Sequence, residues 1–398
     1  MIRGLSVIFL LVMCLFAHAQ VAIKSMLFLP GTGQTQKFTT TYGEDADHTM
    51  YAPFYIDNGN GTITDTVTGL MWQKTDGGEM TIDSALRYCN TLALAGYNDW
   101  HLPRPHELFS LNNLQHVNPA LDSIFTITNA QYWWSNTRQV NDSVNVWCSN
   151  AGGGIGNKPD TETVSAGGAK SYHVRAVRYP IVPDTIAEHF TENGDGTITD
   201  NVTNLIWQKS PYADSLTWEE ALIYADSLTL QGDTDWRLPN IKELESLNDE
   251  TLTSPSLNRN IFNVTEPLQY WSSTSLPNFP TKAWYLDTRF GITTYYPKTA
   301  RLNVLCVRGN QIKNPVTTGE NVIKTNQPDM IVFPNPFNST IRLQSATGNE
   351  LYELTNSLGQ LIYAGTHIDQ RNFANIADGF YLLKVTGNNT GVFKLIKQ

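Results

Sequence analysis

The chain has four cysteines, of which Cys14 lies in an apolar N-terminal run. The other three and one His-Glu pair are the side chains whose chemistry would suit catalysis. Cys89, Cys148 and Cys306 lie far apart in the chain. Three thiols leave at least one unpaired or intermolecular, even where export permits disulfides. His106-Glu107 begins like a zinc-protease motif, but no second histidine follows at the required spacing. These residues therefore predict no thiol or zinc enzyme, and we expect a non-enzymatic protein.

Two similar segments, Asn58 to Gly61 and Asn193 to Gly196, carry side-chain oxygens that could hold calcium. An EF-hand needs a carboxylate five residues before its glycine and a Glu at the end of the loop. In the second segment Thr191 and Val202 occupy those positions. Both segments instead predict hairpin turns, because Gly and Asn accept positive φ angles. We expect no cofactor, and a structural calcium ion in another loop stays open.

Aromatic side chains are the remaining binding signal, since the chain has 10 Trp and 17 Tyr and flat rings stack on sugars. Most of these rings are expected in the core, because Trp contributes a large buried area. Trp133 and Trp147 lie near the Gly-rich loop 152–156 and are the better surface candidates. The same chemistry extends to Trp134, Tyr285, Tyr295 and Tyr296. The candidate ligand-binding residues are Tyr132, Trp133, Trp147, Tyr270, Trp271 and Trp284.

One long internal repeat organises the chain, with its two copies offset by about 135 residues. Leu70 to Lys74 returns as Leu205 to Lys209 with the same Trp-Gln-Lys ending. Each copy is predicted to be α+β, with a hairpin, two helices and an irregular antiparallel sheet. The scaffold motif consists of Trp100, Leu102, Pro103 and Glu107 in copy one, and of Trp236, Arg237, Leu238, Pro239 and Glu243 in copy two.

Local signals place the helices. Thr217 and Glu220 form a capping box that predicts the start of the first helix in copy two. In copy one the second helix is predicted to have Pro105 in its first position and Glu107 in its first turn. In copy two it is predicted to start at Asn240, with Glu243 in its first turn. One face of the first helix in each copy is predicted to be buried. These faces comprise Ile82, Ala85, Leu86, Cys89 and Leu92, and Trp218, Ala221, Leu222, Ala225 and Leu228.

The N-terminus predicts export. Arg3, the apolar run 5–16 and Ala17-His18-Ala19 form the three parts of a signal peptide, with cleavage after Ala19. The run is short for a membrane span, and we expect no integral membrane segment in the mature chain. The net charge of −10 disfavours nucleic acid as a partner, because phosphate binding rests on Lys and Arg.

The two copies resemble the Lcl C-terminal domain family, named after a bacterial collagen-like adhesin. The shared motifs are Gly-Thr-Ile-Thr-Asp, Leu-x-Trp-Gln, Trp-Arg-Leu-Pro-x-x-x-Glu-Leu, Tyr-Trp-Ser and Val-x-x-Val-Arg. The resemblance implies a fold similar to C-type-lectin-like and formylglycine-generating-enzyme-like domains. It also implies binding to sulfated glycans, but the acidic balance here favours a neutral glycan or a protein partner.

The resemblance also bears on the cysteines. Family members are expected to carry cysteines on a helix and on a closing strand. In copy one the helix carries Cys89, but the closing strand carries Ala176. In copy two the closing strand carries Cys306, but the helix carries Ala225. Each copy therefore keeps one of the two cysteines of such a disulfide. A Cys89–Cys148 bridge stays an alternative.

The last 68 residues resemble the type A C-terminal sorting domain of the type IX secretion system. Pro334-Asn335-Pro336, Gly359 and Gly379 carry the sorting signature. Five strand-like runs between residues 341 and 396 predict a small all-β, immunoglobulin-like sandwich. The resemblance implies the type IX secretion machinery as a partner, and a secreted or cell-surface location.

These observations divide the chain and set the functional expectation. We expect a non-enzymatic binding or adhesion protein that recognises an extracellular glycan. The alternative is a structural or protein-interaction component of the cell surface or matrix. The predicted parts are a signal peptide (1–19), copy one with its lead-in (20–180), copy two (181–310), a linker (311–330) and the sorting domain (331–398).

Overall fold

The structure is a computed structural model, and its described residues form two compact units. The first unit holds both copies, and the second holds the residues from 331 onward. The signal peptide, the linker, Pro334-Asn335-Pro336 and Gly359 lie outside the described residues. The described ranges are 21–48, 51–127, 129–161, 168–309, 331–333, 337–344, 350–356, 361–377, 379–386 and 391–397.

Copy one and its lead-in are short strands arranged around two helices. A 3₁₀ turn, Asp45–Asp47, lies in the lead-in. In chain order the elements are β1 (Ala22–Lys24), β2 (Tyr55–Asp57), β3 (Thr62–Asp65), β4 (Met71–Gln73), β5 (Glu79–Met80), α1 (Ile82–Thr91), α2 (Pro105–Ser110), β6 (Tyr132–Gln139), β7 (Asp142–Asn150), β8 (Ile155–Pro159), β9 (Tyr172–His173) and β10 (Val177–Arg178).

Copy two repeats this order with fewer strands in its second sheet. Its elements are β11 (Asp184–Ile186), β12 (Phe190–Glu192), β13 (Thr197–Asp200), β14 (Ile206–Gln208), α3 (Trp218–Ser227), α4 (Ile241–Ser246), β15 (Gln269–Ser275), β16 (Lys282–Asp287), β17 (Ile292–Pro297) and β18 (Val307–Arg308).

Each copy contains two sheets. The first has the order β10-β4-β3-β2 in copy one and β12-β13-β14-β18 in copy two. The second has the order β5-β9-β6-β7-β8 in copy one and β15-β16-β17 in copy two. Strand β1 of the lead-in pairs with β11 at the start of copy two. The copies are therefore β-rich with few helices, in agreement with the predicted α+β class. The lectin-like fold stays a prediction.

The local signals are confirmed at the turns and helix starts. Gly194 and Gly196 have φ angles of +77° and +87° in the turn between β12 and β13. Asp195 Oδ1 accepts hydrogen bonds from the backbone N–H and the hydroxyl of Thr197. Thr217 and Glu220 form the predicted capping box, and Pro105 occupies the first position of α2. Such features depend on residues a few positions apart, so sequence alone resolves them.

The motif tryptophans form the cores. Trp72 and Trp207 are fully buried, and Trp100 and Trp236 are 2 % exposed, as predicted for scaffold positions. The predicted face of α1 is too wide, because Leu86 is 36 % exposed. Only Ile82, Ala85 and Cys89 of α1 are buried.

The two copies share an apolar cluster and lie in one compact unit. Phe109, Trp147 and Ile155 of copy one pack with Ile241 and Trp284 of copy two. The Ile155 N–H donates to Thr293 Oγ1 across the boundary at 2.9 Å. Burial of this cluster removes apolar surface from water and holds the copies together.

The lead-in contacts both copies, although the sequence grouped it with copy one. The Gln34 amide donates to Leu114 O of copy one at 3.2 Å and to Ser275 O of copy two at 2.6 Å. Asp45 accepts hydrogen bonds from the Thr32 and Thr274 hydroxyls at 2.7 and 2.6 Å. This segment therefore ties copy one to β15 of copy two.

The C-terminal unit is built from strands, as predicted. They form a four-stranded sheet and a separate two-stranded pair. Phe337 and Ile341 pack with Leu354, Leu383 and Leu395 in its core. The immunoglobulin-like topology stays a prediction. The strands are β19 (Ile331–Phe333), β20 (Arg342–Gln344), β21 (Leu351–Asn356), β22 (Leu361–Gly365), β23 (Gly379–Thr386, which starts at the predicted Gly379) and β24 (Gly391–Lys397), with a 3₁₀ turn at Ile368–Gln370.

Candidate functional site

The candidate ligand-binding aromatics lie in the interior. Trp133 and Trp147 are 6 % and 3 % exposed, so their predicted surface location is wrong. Their positions on the central strands β6 and β7 explain this burial. Tyr270, Trp271 and Trp284 on β15 and β16 are likewise buried, and Tyr132 is half-buried. These rings lack the open face that a sugar needs for stacking.

The Gly-rich loop explains why Trp147 and Trp284 are covered. Gly153 and Gly154 come against copy two at the shared cluster. A Cβ on Gly154 would approach Thr293 O to 3.2 Å and Trp284 Cζ3 to 3.4 Å. A Cβ on Gly153 would meet Leu114 Cδ2 at 2.4 Å, and its φ of +96° also favours glycine. The glycines thus allow close packing between the copies.

Exposed aromatics lie instead at one end of the β16–β17 hairpin. Phe279 and Tyr295 are 51 % and 40 % exposed. Lys282 Nζ lies 5.2 Å from the Phe279 ring centroid and 5.1 Å from that of Tyr295. We call Phe279, Lys282 and Tyr295 the aromatic–lysine surface. Tyr295 belonged to the wider aromatic set, whereas Phe279 had no repeat or motif signal to mark it.

A buried tryptophan supports the Tyr295 ring. The ring packs edge-on against Trp284, with ring centroids 5.6 Å apart. The next residue, Tyr296, is 49 % exposed and packs against Tyr285 instead. Consecutive side chains of a strand point to opposite faces, so Tyr296 lies outside the aromatic–lysine surface.

The scaffold glutamates at the second helices are buried and paired. Arg237 donates two hydrogen bonds of 2.6 Å to the Glu243 carboxylate, and the Asn240 N–H donates a third. In copy one, Tyr179 OH donates to Glu107 Oε1 at 2.6 Å, and His101 lies 3.8 Å from Oε2. Burial opposes ionisation of Glu107, yet its hydrogen-bond partners hold its pKa below the usual value. These carboxylates have structural roles, as the first-turn interpretation predicts.

A second group of ionisable side chains lies where α2 meets α4. His106 Nε2 is 3.0 Å from Glu250 Oε1, and its Nδ1 is 3.7 Å from Glu245 Oε1. Burial lowers the pKa of His106, but the charge and hydrogen bond of Glu250 and the charge of Glu245 raise it to about 9. Burial raises the pKa of Glu245 to about 8. The sequence singled out His106 in a zinc-protease-like pattern but gave no signal for Glu245 or Glu250, because these partners come from the other copy.

Lys242 of α4 is a buried cation held by carbonyl oxygens. Its Nζ donates to Gly31 O at 3.0 Å and to Ser110 O at 2.8 Å. It is 1 % exposed, and burial lowers its pKa to about 7. Lys242 therefore connects the lead-in, copy one and copy two.

The three thiols are buried and free. Burial raises the pKa of Cys89 to about 12, and it also raises those of Cys148 and Cys306. Cys89 shares a core cluster with Ala176, and Cys306 shares one with Ala225. The expected helix-to-strand pairs thus lie together in each core. Cys148 belongs to the cluster of Cys89, so the alternative pairing within copy one stays open.

Within the described ranges, no three His, Cys, Asp or Glu side chains converge as a metal site would require. In the same ranges, no helix is both long and apolar enough to cross a bilayer.

Fold and site together define a protein with two β-rich repeats followed by a small β unit. The family model of the Lcl C-terminal domain matches residues 61–178 and 196–308, more than half of the chain. The protein therefore belongs to the Lcl C-terminal domain family. A second family model, the secretion system C-terminal sorting domain, matches residues 331–398. No curated protein matches the chain.

The sorting domain indicates where the protein acts. It marks the chain for export to the cell surface or for secretion, as the sequence predicted. It also implies the type IX secretion machinery as a partner.

Proposed function

We infer that this exported protein is a non-enzymatic binding protein that recognises an extracellular glycan through the aromatic–lysine surface. The observation that carries this proposal is the pair of exposed rings, Phe279 and Tyr295, with the Lys282 ammonium 5.2 and 5.1 Å from their centroids. Flat rings offer apolar faces to the C–H groups of a sugar, and the ammonium donates hydrogen bonds to its oxygens.

The rigidity of this surface supports binding. Tyr295 is held against Trp284, so little side-chain freedom is lost when a ligand stacks on it. Tyrosine offers a large amphipathic contact with few rotatable bonds. The lectin-like fold that the family resemblance implies agrees with this proposal. We propose that fold together with the binding function.

The buried thiols support the non-enzymatic part of the proposal. A cysteine nucleophile acts as a thiolate in a partly exposed, electropositive site. Cys89 and Cys306 are fully buried, and burial raises their pKa values. Adhesion to a surface glycan is the cellular role that follows from such binding at an exported module.

A glycan array probed with the mature chain tests the proposal. We expect binding to at least one neutral glycan, and about a tenfold loss of affinity in Tyr295→Ala and in Phe279→Ala. Tyr296→Ala is the matched control, because this exposed tyrosine is adjacent in sequence but lies on the other face. It should bind like the wild type.

Two outcomes would overturn the proposal. One is the absence of binding to every glycan at high micromolar concentration. The other is unchanged affinity in both Tyr295→Ala and Phe279→Ala. Recovery of a surface protein from outer-membrane extract, with no glycan bound, would favour the alternative class of protein-interaction component.

A further inference from the structure

A cleft of about 460 Å³ opens where the lead-in, α2 of copy one and α4 of copy two meet. This volume falls in the range of sites for small organic ligands, about 300–1,000 Å³. The cleft is separate from the aromatic–lysine surface, since the lining residues of the two differ. Its walls are partly apolar, with Met26, Phe109, Phe190 and Leu247 among the lining side chains.

One buried carboxylate in the cleft has an oxygen without a partner. Glu245 is 1 % exposed, and among the described residues nothing hydrogen-bonds to its Oε2. Its Oε1 lies 3.5 Å from Asn248 Nδ2 and 3.7 Å from His106 Nδ1. An acceptor that is buried without a donor is costly, and more so when it is charged. A ligand that supplies an N–H donor would satisfy this oxygen.

The charges around Glu245 indicate which ligand would fit. His106 faces two carboxyl groups, those of Glu245 and Glu250, so one imidazolium stands against two negative charges whenever both carboxyls are ionised. Lys242 lines the same cleft, but its Nζ is engaged by the Gly31 and Ser110 carbonyls. Arg104 also lines the cleft, and its charge acts on Glu250. A second cation beside Glu245 would balance the pair of carboxylates.

Burial holds the pKa of Glu245 at about 8, so this carboxyl is largely protonated at neutral pH. A cationic ligand favours the ionised form of a neighbouring carboxyl. Its arrival would therefore release a proton from Glu245. The apolar walls favour a cation that carries a hydrocarbon body.

We propose that the cleft between the two copies binds a primary ammonium ion on an aliphatic body, with its N–H groups directed at Glu245 Oε2. Phe109 and Leu247 contact the hydrocarbon portion, and Glu250 contributes the second negative charge. This site is formed only when both copies pack together, because α2 and α4 each supply one wall.

Isothermal titration of the full mature chain with pentylamine at pH 8 tests the proposal. Pentanol has the same body without charge, and pentanoate has the opposite charge. We expect pentylamine to bind at least about tenfold more tightly than either compound. Heat measured in phosphate and in HEPES buffer should differ, because binding releases a proton into the buffer and neither buffer is a primary amine.

Glu245→Gln should weaken pentylamine binding by about tenfold or more. Glu353→Gln is the matched control, since it makes the same change at an exposed ion pair in the C-terminal unit. It should leave binding unchanged. Thermal unfolding verifies that each variant folds, and the comparison of ligands on the wild-type chain does not depend on any variant.

Three outcomes would overturn the proposal. They are no pentylamine binding up to millimolar concentration, equal binding of pentanol, and full affinity in a folded Glu245→Gln chain. Failure here leaves the glycan proposal intact, because that proposal is tested by Tyr295→Ala at a different surface.

Discussion

The second helix of copy one and the second helix of copy two occupy equivalent places but have different electrostatics. Both have six residues and a buried glutamate in the first turn. Copy one has His106 where copy two has Lys242, and Phe109 where copy two has Glu245. The pKa of His106 is raised and that of Lys242 is lowered.

The direction of each shift follows from the neighbours that the other copy supplies. His106 faces the carboxylates Glu245 and Glu250, which stabilise its charged form. Lys242 meets neutral carbonyls, so burial dominates. A duplicated motif thus fixes the backbone position of a residue, whereas packing between the copies fixes its chemistry.

The largest expected difference between the copies concerns the buried glutamates. Arg237→Leu should destabilise the protein by about 3–5 kcal/mol, because it leaves the Glu243 carboxylate buried without its cation. His101→Leu should cost about 1 kcal/mol, since Glu107 keeps its bonds from Tyr179 and from the Arg104 N–H. Urea unfolding of both variants and the wild type measures the difference. Equal losses of unfolding free energy in the two variants would contradict this expected difference between the copies.

Adding the missing cysteine of each helix-to-strand pair should have a smaller effect on stability. Ala225→Cys should pair with Cys306 in copy two and stabilise the oxidised protein by about 2–4 kcal/mol. In copy one, Ala176→Cys offers a partner to Cys89, but Cys148 lies in the same cluster and competes. Thiol counting by mass spectrometry and thermal unfolding with and without reductant test this. Ala151→Cys, in a cluster without a cysteine, is the control. In the oxidised mature Ala225→Cys chain we expect two free thiols, those of Cys89 and Cys148, and four free thiols would contradict the pairing.

The smallest expected effect is a pH-dependent contribution of His106. Its pKa rises from 6.5 to about 9 on folding, so its stabilisation is fully present below pH 6.5. That stabilisation is lost as the pH rises through about 9. The unfolding temperature of His106→Gln should therefore fall below that of the wild type at pH 6, and the gap should close by pH 10. The facing groups Arg104, Glu245 and Glu250 remain in both chains, and because the pKa of Glu245 lies at about 8 and depends on His106, the difference reports His106 together with its effect on Glu245. A constant gap across this range would show that His106 is uncharged in the fold.

Much of the architecture was predictable because its signals are local. The capping box of Thr217 and Glu220, Pro105 at the start of α2 and the glycine turns each depend on residues within a few positions. The core tryptophans Trp72 and Trp207 were predictable because the repeat marks them twice. The face of α1 was predicted too wide, since periodicity alone does not show how much of a helix is covered.

The candidate site was not predictable in the same way. Residue type identified aromatic rings, but it did not show which were covered, and Trp147 and Trp284 proved to be buried between the copies. Exposed Phe279 carried no sequence signal, since it lies in a connection between strands.

The sequence by itself determined the repeat, the β-rich class of secondary structure and the C-terminal sorting domain, while the family resemblance implied the pairs Cys89–Ala176 and Cys306–Ala225. Only the tertiary structure decided that the copies share an apolar cluster, that Lys242 is buried against carbonyls, and that Glu245 meets His106. Repeats, caps and turns depend on neighbours along the chain. Burial and charge depend on residues more than a hundred positions away, which the fold alone brings together.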